Sequence, residues 1–310
     1  MTILVIGGAG FIGRRMIPLL MQRGQQVVCM DINPGAASFG DAVKMIRGDV
    51  TQFDAVMAAV AEVKPDRLVN LSYHIGSELP PHIATKLNVV GMDNCFEAAR
   101  LGGVKHTVYA SSLAVSGLQK YIGERAATEE DFKFGDNQYA MCKIYNEWQA
   151  KDYADKYGMT ITGIRPANVT GPDKVSGSVD HVNCITQPAR GKPVSFPYRD
   201  AMRIPIHVDD IAEAFARVAV VEKPKHALYN SGGHTISMGD LATLVREFIP
   251  EAKITFEHET GGREKSGSFL IDNSRLIDEF GLQYAPYRQR VLQIINEVRK
   301  DDGKPPLKDR

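Results

Sequence analysis

The first half of the chain alternates short β-branched runs with longer amphipathic stretches. Ile3–Ile6, Val27–Met30, Val43–Arg47, Leu68–Leu71, Val104–Ala110 and Thr160–Ile164 have the apolar, β-branched character of strands. Between them, Phe11–Arg23, Phe53–Val63, His82–Leu101 and Gln138–Tyr157 have the period of helices. Strands alternating with helices imply right-handed crossovers and a parallel sheet covered on both faces. The predicted fold is therefore doubly wound α/β, with a ligand crevice at the carboxyl ends of the strands.

After Arg165 the rhythm breaks. Residues 166–205 are rich in Pro, Gly, Ser and Asp, with one helix expected around Val182–Arg190. Helical patterns return at Val208–Val221, Met238–Phe248, Ser274–Phe280 and Tyr287–Lys300, with short strands near Leu228 and Ile254. Two units are predicted: a nucleotide-binding domain over 1–165, and a smaller α+β substrate lobe mainly over 166–310. Segments around 203–232 are expected to return to the first unit. The polar tail Asp301–Arg310 is expected to fray.

Composition narrows the partners. Hydrophobic residues make up 44% and charged residues 24% of the 310 positions, which is ordinary for a globular protein. Lys+Arg and Asp+Glu both total 37, and the absence of a basic excess argues against a nucleic-acid partner. No apolar run reaches the roughly 18 residues of a membrane span, so no membrane partner is expected. Ile3–Ile6 begins almost at once, with no basic region or cleavage site before it, so no signal peptide is expected. Cys29, Cys95, Cys142 and Cys184 are scattered, form no Cys-x-x-Cys, and suggest reduced thiols in a cytoplasmic protein without a metal.

The first strand runs into Gly7-Gly8-Ala9-Gly10-Phe11-Ile12-Gly13, which opens a helix. Gly7 permits the tight turn, Gly10 lets the backbone approach a pyrophosphate, and Gly13 lets the helix pack on the strand. The helix N-terminus favours the phosphate charge. This strand–loop–helix context marks a Rossmann-type dinucleotide site. Asp31 ends the second strand, where a carboxylate accepts hydrogen bonds from the adenosine ribose and repels a 2′-phosphate. NAD is thus favoured over NADP. Asp49-Val50, after the third strand, is a candidate for the adenine edge.

Tyr139 and Lys143 stand at i and i+4 of a predicted helix and share one face. A phenol titrating near 10 is a poor base at neutral pH, and an adjacent cation is expected to lower that value. A shift of about three units takes roughly 4 kcal/mol.

Together these residues resemble the extended short-chain dehydrogenase/reductase family, which contains nucleotide-sugar epimerases and related dehydrogenases. The resemblance spans nearly the whole chain. It is carried by Gly7–Gly13, Asp31, Asp49, Asn88, Ser111-Ser112, Tyr139/Lys143, Arg165-Pro166-Ala167-Asn168 and His207-Val208-Asp209-Asp210. It implies an NAD-dependent enzyme in which Ser112 orients a substrate hydroxyl and Tyr139 takes its proton as hydride leaves for NAD. Lys143 would hold the nicotinamide ribose, and Asn88 matches a position beside the cofactor. The resemblance also implies a homodimer formed through the helices His82–Leu101 and Gln138–Tyr157. Some relatives with this fold act as non-catalytic NAD-binding modules, but they commonly lose the tyrosine or lysine that this chain retains.

The family pattern narrows the reaction without fixing the substrate. Dehydratases and decarboxylases of this type usually place an acidic residue directly after the catalytic hydroxyl, where this chain has Leu113 and Ala114. Two reactions remain: net oxidation by a dehydrogenase, and transient oxidation by an epimerase. For a nucleotide-sugar epimerase, Asn168 matches a substrate contact and Arg203 resembles an arginine that grips a diphosphate, with Arg263 as a second candidate. For a smaller sugar-, polyol- or hydroxy-acid-like substrate, the stretch from Asn168 to Arg203 is short and Ser116 replaces a usual tyrosine. Gly177–Val182, with Asp180 and His181, is similar to small-substrate dehydrogenases of the family. Tyr73, His74 and Glu78 are further candidates to line the site. The dehydrogenase is favoured slightly.

Overall fold

The computed structural model describes residues 1–75 and 79–309. Six strands, β1 (Thr2–Ile6), β2 (Gln26–Asp31), β3 (Lys44–Arg47), β4 (Arg67–Asn70), β5 (His106–Ala110) and β6 (Ile161–Arg165), follow one another along the chain. With Leu228–Asn230 they form a seven-stranded sheet in the order β3-β2-β1-β4-β5-β6 and then Leu228–Asn230. Every pairing in it is parallel. The strand order reverses direction between β1 and β4, which opens the crevice at their carboxyl ends.

The sheet is covered on both faces, as its near-continuous apolar strands require. On one side, helices Gly13–Gln22 and Val208–Val220 pack together, and their core joins Ile3, Val5, Met16, Leu20 and Phe215. On the other, Phe53–Val63 and Gly91–Leu101 bury Leu4, Ile6, Val60 and Cys95. Farther along, Ala150 of helix Gln138–Tyr157 joins Phe96, Tyr109 and Ile161 in a smaller cluster. Residues 208–230 thus rejoin the sheet, with Leu228 beside Gly163 and Tyr229 beside Ile164. A separate core gathers helices Asp180–Arg190, Met238–Phe248 and Tyr287–Asp301 around Cys184, Phe196, Leu241 and Ile294.

Several elements differ from the sequence expectation. The first helix starts at Gly13, which leaves Phe11 and Ile12 in the loop. The helical run expected from His82 contains a π turn, Lys86–Val90, between Pro81–Thr85 and Gly91–Leu101. Such single-turn bulges occur often at functional sites. Residues 166–205 hold more order than their composition suggests. Besides helix Asp180–Arg190 they contain Asn168–Thr170, paired with Pro205–His207, and Val194–Tyr198, paired with Ile254–His258. The tail does not fray at Leu307. Its N–H donates to Asn296 Oδ1 at 2.7 Å and its carbonyl accepts from Asn296 Nδ2 at 3.0 Å. Among the described residues, no helix is long and apolar enough to cross a membrane.

Candidate active site

A cleft of about 1090 Å³ runs from the glycine loop past Ser112, Tyr139 and Lys143 to Asn168 and Arg203. At its nucleotide end, Gly7 has φ +75° and a Cβ there would lie 2.6 Å from the Ser72 nitrogen. A Cβ on Gly13 would lie 2.5 Å from the Gly8 carbonyl oxygen, so the helix start can approach the loop only without a side chain. The N–H groups of Phe11, Ile12 and Gly13 find no acceptor among the described residues. Free donors at a helix start are suited to phosphate oxygens. This end of the cleft therefore fits a dinucleotide pyrophosphate.

Asp31 stands beside the same loop. Its Oδ2 accepts from the Ala9 N–H at 3.0 Å and its Oδ1 from the Asn33 N–H at 2.9 Å. Asp49, Val50 and Asn88 do not line the cleft. Asp49 Oδ1 accepts from the Thr51 N–H at 2.9 Å, closing a local turn. Val50 is buried, and its carbonyl accepts from Asn94 Nδ2 at 2.8 Å. Asn88, in the π turn, is spent on the loop after β4. Its Oδ1 accepts from the His74 N–H at 2.9 Å and its Nδ2 donates to the His74 carbonyl at 3.1 Å. The Asn88 amide thus fastens the loop after β4 to the π turn.

Tyr139 opens the helix Gln138–Tyr157, capped by Asn137, whose Oδ1 accepts from the Ala140 N–H at 3.0 Å. Ser112 caps the short turn after β5 and accepts from the Ala114 N–H at 3.1 Å. Burial pushes the Tyr139 phenol up to about 12, while the Ser112 hydroxyl pulls the other way. Lys143 does not lower the phenol as the spacing suggested. Its Nζ donates to the Ala110 carbonyl at 2.5 Å and lies 3.2 Å from the centroid of the Tyr73 ring. Tyr73 in turn meets Tyr139 edge to face, with centroids 5.5 Å apart. Burial holds the Lys143 ammonium well below its usual value, and Glu147 opposes that shift. Glu78, the third residue suggested for this wall, lies outside the described residues.

Glu147 was missed from the sequence, although it continues the Tyr139/Lys143 face by one more turn. Its fully buried carboxylate accepts from Ser111 Oγ at 2.6 Å and from Arg165 Nε at 2.7 Å and Nη2 at 2.9 Å. Burial pushes its pKa up, but Arg165 and Lys133, whose Nζ lies 2.8 Å from Oε2, together outweigh that effect and hold it below the usual value. The pair joins the ends of β5 and β6 to the helix that carries Tyr139. Ser111 therefore has a structural place beside Ser112.

At the far end of the cleft, Asn168 Oδ1 accepts from the Ile204 N–H at 2.9 Å. Arg203 lines the cleft but is held by Asp180, with Nε 2.9 Å from Oδ2 and Nη2 on the same oxygen. His181 does not face the crevice. Its ring is fully buried between Asp180 Oδ1 at 3.2 Å and the Val169 carbonyl at 3.4 Å, and burial lowers its pKa. Arg263, the other suggested grip, stacks on Phe269 with 4.8 Å to the ring centroid. Lys174, also missed from the sequence, lines this end of the cleft.

A phosphate-fitting glycine loop and an adjoining Ser–Tyr–Lys group on a doubly wound parallel sheet define a nucleotide-dependent oxidoreductase. Residues 3–232 match the model of the NAD dependent epimerase/dehydratase family. The chain belongs to that family, an extended short-chain dehydrogenase/reductase group, and is an NAD-dependent enzyme. It is 30% identical over 232 residues to a UDP-glucose 4-epimerase of Mycolicibacterium smegmatis, covering 70% of this chain and 72% of that protein. The structure of a Thermotoga maritima UDP-glucose 4-epimerase with UDP-glucose superposes with a TM-score of 0.86 at 20% identity, covering 97% and 99% of the two chains. An L-threonine dehydrogenase from Cupriavidus necator gives 0.83 at 18% identity, covering 96% and 100%. At those identities the two structures establish a shared fold alone.

Proposed function

We propose that the chain is a dehydrogenase that oxidises a secondary alcohol of a small sugar-, polyol- or hydroxy-acid-like substrate. The observation that carries this choice is the engagement of Arg203 by Asp180. A diphosphate would have to displace the carboxylate that holds the Nε/Nη2 edge of the guanidinium, while Nη1 already donates to the Met202 carbonyl at 2.6 Å. The short stretch from Asn168 to Arg203 supports the same choice.

Ser112 and Tyr139 would receive the substrate hydroxyl between them, and Tyr139 would take its proton. When bound, NAD accepts hydride from the same carbon. Gly7, Gly10, Phe11, Ile12 and Gly13 would hold its pyrophosphate, and Asp31 its adenosine ribose. Lys143, with its ammonium anchored on Ala110 and Tyr73, would hold the nicotinamide ribose. Residues 1–165, with 203–232, would form the NAD-binding domain, and most of 166–310 the substrate lobe.

A second reading, transient oxidation by an epimerase, is favoured by the 30% identity to the mycobacterial UDP-glucose 4-epimerase. A panel of polyols, hydroxy acids, amino-alcohols and nucleotide-sugars with NAD separates the two. Stoichiometric NADH supports the dehydrogenase. Isomerised nucleotide-sugar without NADH would establish the epimerase.

Homodimer formation fits the surface. Met141, Tyr145 and Trp148 are each more than half exposed on one side of helix Gln138–Tyr157, and Ile83, Val90 and Leu101 are exposed along the other helical run. Exposed large apolar side chains gathered on helices in this way are typical of an interface. Four buried free thiols are in keeping with a reducing cytoplasmic setting.

A further inference from the structure

We propose that Lys174 receives an oxyanion of the substrate, a carboxylate or a phosphate, on the cleft wall it shares with Asn168, Ser178 and Arg203. This rests on the small-substrate dehydrogenase reading and narrows it to an anionic alcohol. Lys174 follows Gly171-Pro172-Asp173, just beyond the strand Asn168–Thr170, and its side chain enters the cleft.

The ammonium is poorly compensated by the protein. Its Nζ donates to the Val169 carbonyl at 2.8 Å, an acceptor it shares with His181 Nε2 at 3.4 Å. Among the described residues no carboxylate lies within ion-pair distance of it. Asp180 is the acidic group that acts on it electrostatically, and that carboxylate is already taken by Arg203 and His181. Burial pushes the Lys174 ammonium down to about 8, with Asp180 opposing. A half-buried cation that keeps two unspent N–H donors is stabilised by an incoming anion.

The surroundings point the same way. Lys174, Arg203 and Lys265 all line the cleft, and among the described residues the one acidic residue that lines it, Asp173, is paired with Arg14 at 2.6 Å. The positive excess attracts an anion and concentrates it at this wall. Arg203, bound to Asp180, supplies background charge, whereas Lys174 supplies the free donors.

Titration calorimetry of the NAD-saturated protein with malonate, and separately with inorganic phosphate, tests the assignment. Saturation with NAD keeps the glycine loop from binding the probe. The wild type is expected to bind at least one probe, and Lys174→Met to weaken it by about tenfold or more. Lys174→Arg, which retains the charge, is expected to retain most of the affinity. Tighter malonate binding identifies the group as a carboxylate, and tighter phosphate binding as a phosphate ester. Equal affinity in wild type and Lys174→Met, or no binding of either probe to the wild type, overturns the proposal. Turnover gives a second readout: a hydroxy acid should be oxidised with a lower KM than its methyl ester, and Lys174→Met should erase that difference. If acid and ester are oxidised equally well and phosphate binds wild type and Lys174→Met alike, the proposal fails but the dehydrogenase stands. If only nucleotide-sugars react, by isomerisation, the dehydrogenase reading fails and the titration alone decides the Lys174 assignment.

Discussion

The Lys143 Nζ lies 3.2 Å from the centroid of the Tyr73 ring and 5.9 Å from that of Tyr139. The lysine therefore rests on a different aromatic face from the one its spacing pairs it with. A desolvated contact of this kind contributes about 1–2 kcal/mol to the charged form. Tyr73→Leu should lower the Lys143 pKa further, so that the ammonium is lost at a lower pH. The alkaline limb of the turnover profile should move down by roughly one unit. An unmoved limb in NADH-formation assays would show that Tyr73 does not support the charge.

Tyr139→Phe should keep NAD binding and lose turnover by about 10³-fold or more, since it removes the proton acceptor. Because burial holds the wild-type phenol near 12, alcohol oxidation should quicken as pH rises from 7. Fluorescence titration with NAD and initial rates on the same preparation check both parts. Comparable rates in the variant would remove Tyr139 from proton transfer.

Asp31→Ala should weaken discrimination against NADP. It also deprives the Ala9 N–H of its acceptor, at a stability cost of about 1 kcal/mol. The ratio of kcat/KM for the two cofactors, together with a melting curve, measures both effects. A wild type that already prefers NADP would end the ribose argument.

His106, the first residue of β5, is fully buried, and burial and then Arg67 push its pKa down to about 4. On acidification the unfolded chain takes up the proton first, near 6.5. The contribution of neutral His106 is complete above that pH and declines as pH falls towards 4, by about 3 kcal/mol in all. Urea unfolding at pH 7 and pH 5 should show the decline, and His106→Gln should flatten it. A slope that is unchanged in the variant would assign the acid sensitivity elsewhere.

Replacing Tyr145 and Trp148 together with glutamate should yield a monomer by sedimentation velocity, with little change in fold, because both side chains are exposed. A wild type that sediments only as monomer at micromolar concentration would count against the dimer.

Strong periodicity made the sheet and most helices legible in the sequence. β1, β2 and β4 are apolar on both faces, and the glycine loop fixed where the nucleotide end had to be. The strands Asn168–Thr170, Met202–Arg203 and Pro205–His207 could not be read, because two or three residues carry no period. Side-chain commitments were equally hidden. Asp180 lies 23 positions from Arg203 and Glu147 lies 18 from Arg165, and nothing local links either pair. His181 was a candidate to meet the substrate, but the fold gives it no exposed surface. The Tyr139/Lys143 spacing correctly placed both groups on one cleft. It could not reveal that Tyr73, from another strand end, would hold the lysine.

The π turn at Asn88 has a mechanical consequence. Asn146, on the helix that carries Tyr139 and Lys143, donates to the Asn88 carbonyl at 3.0 Å, while the Asn88 side chain grips the His74 backbone. Helix, turn and Tyr73 loop are thereby braced into one frame. A displacement of that helix would carry Tyr73 with it, so the reacting groups keep their mutual spacing as one unit.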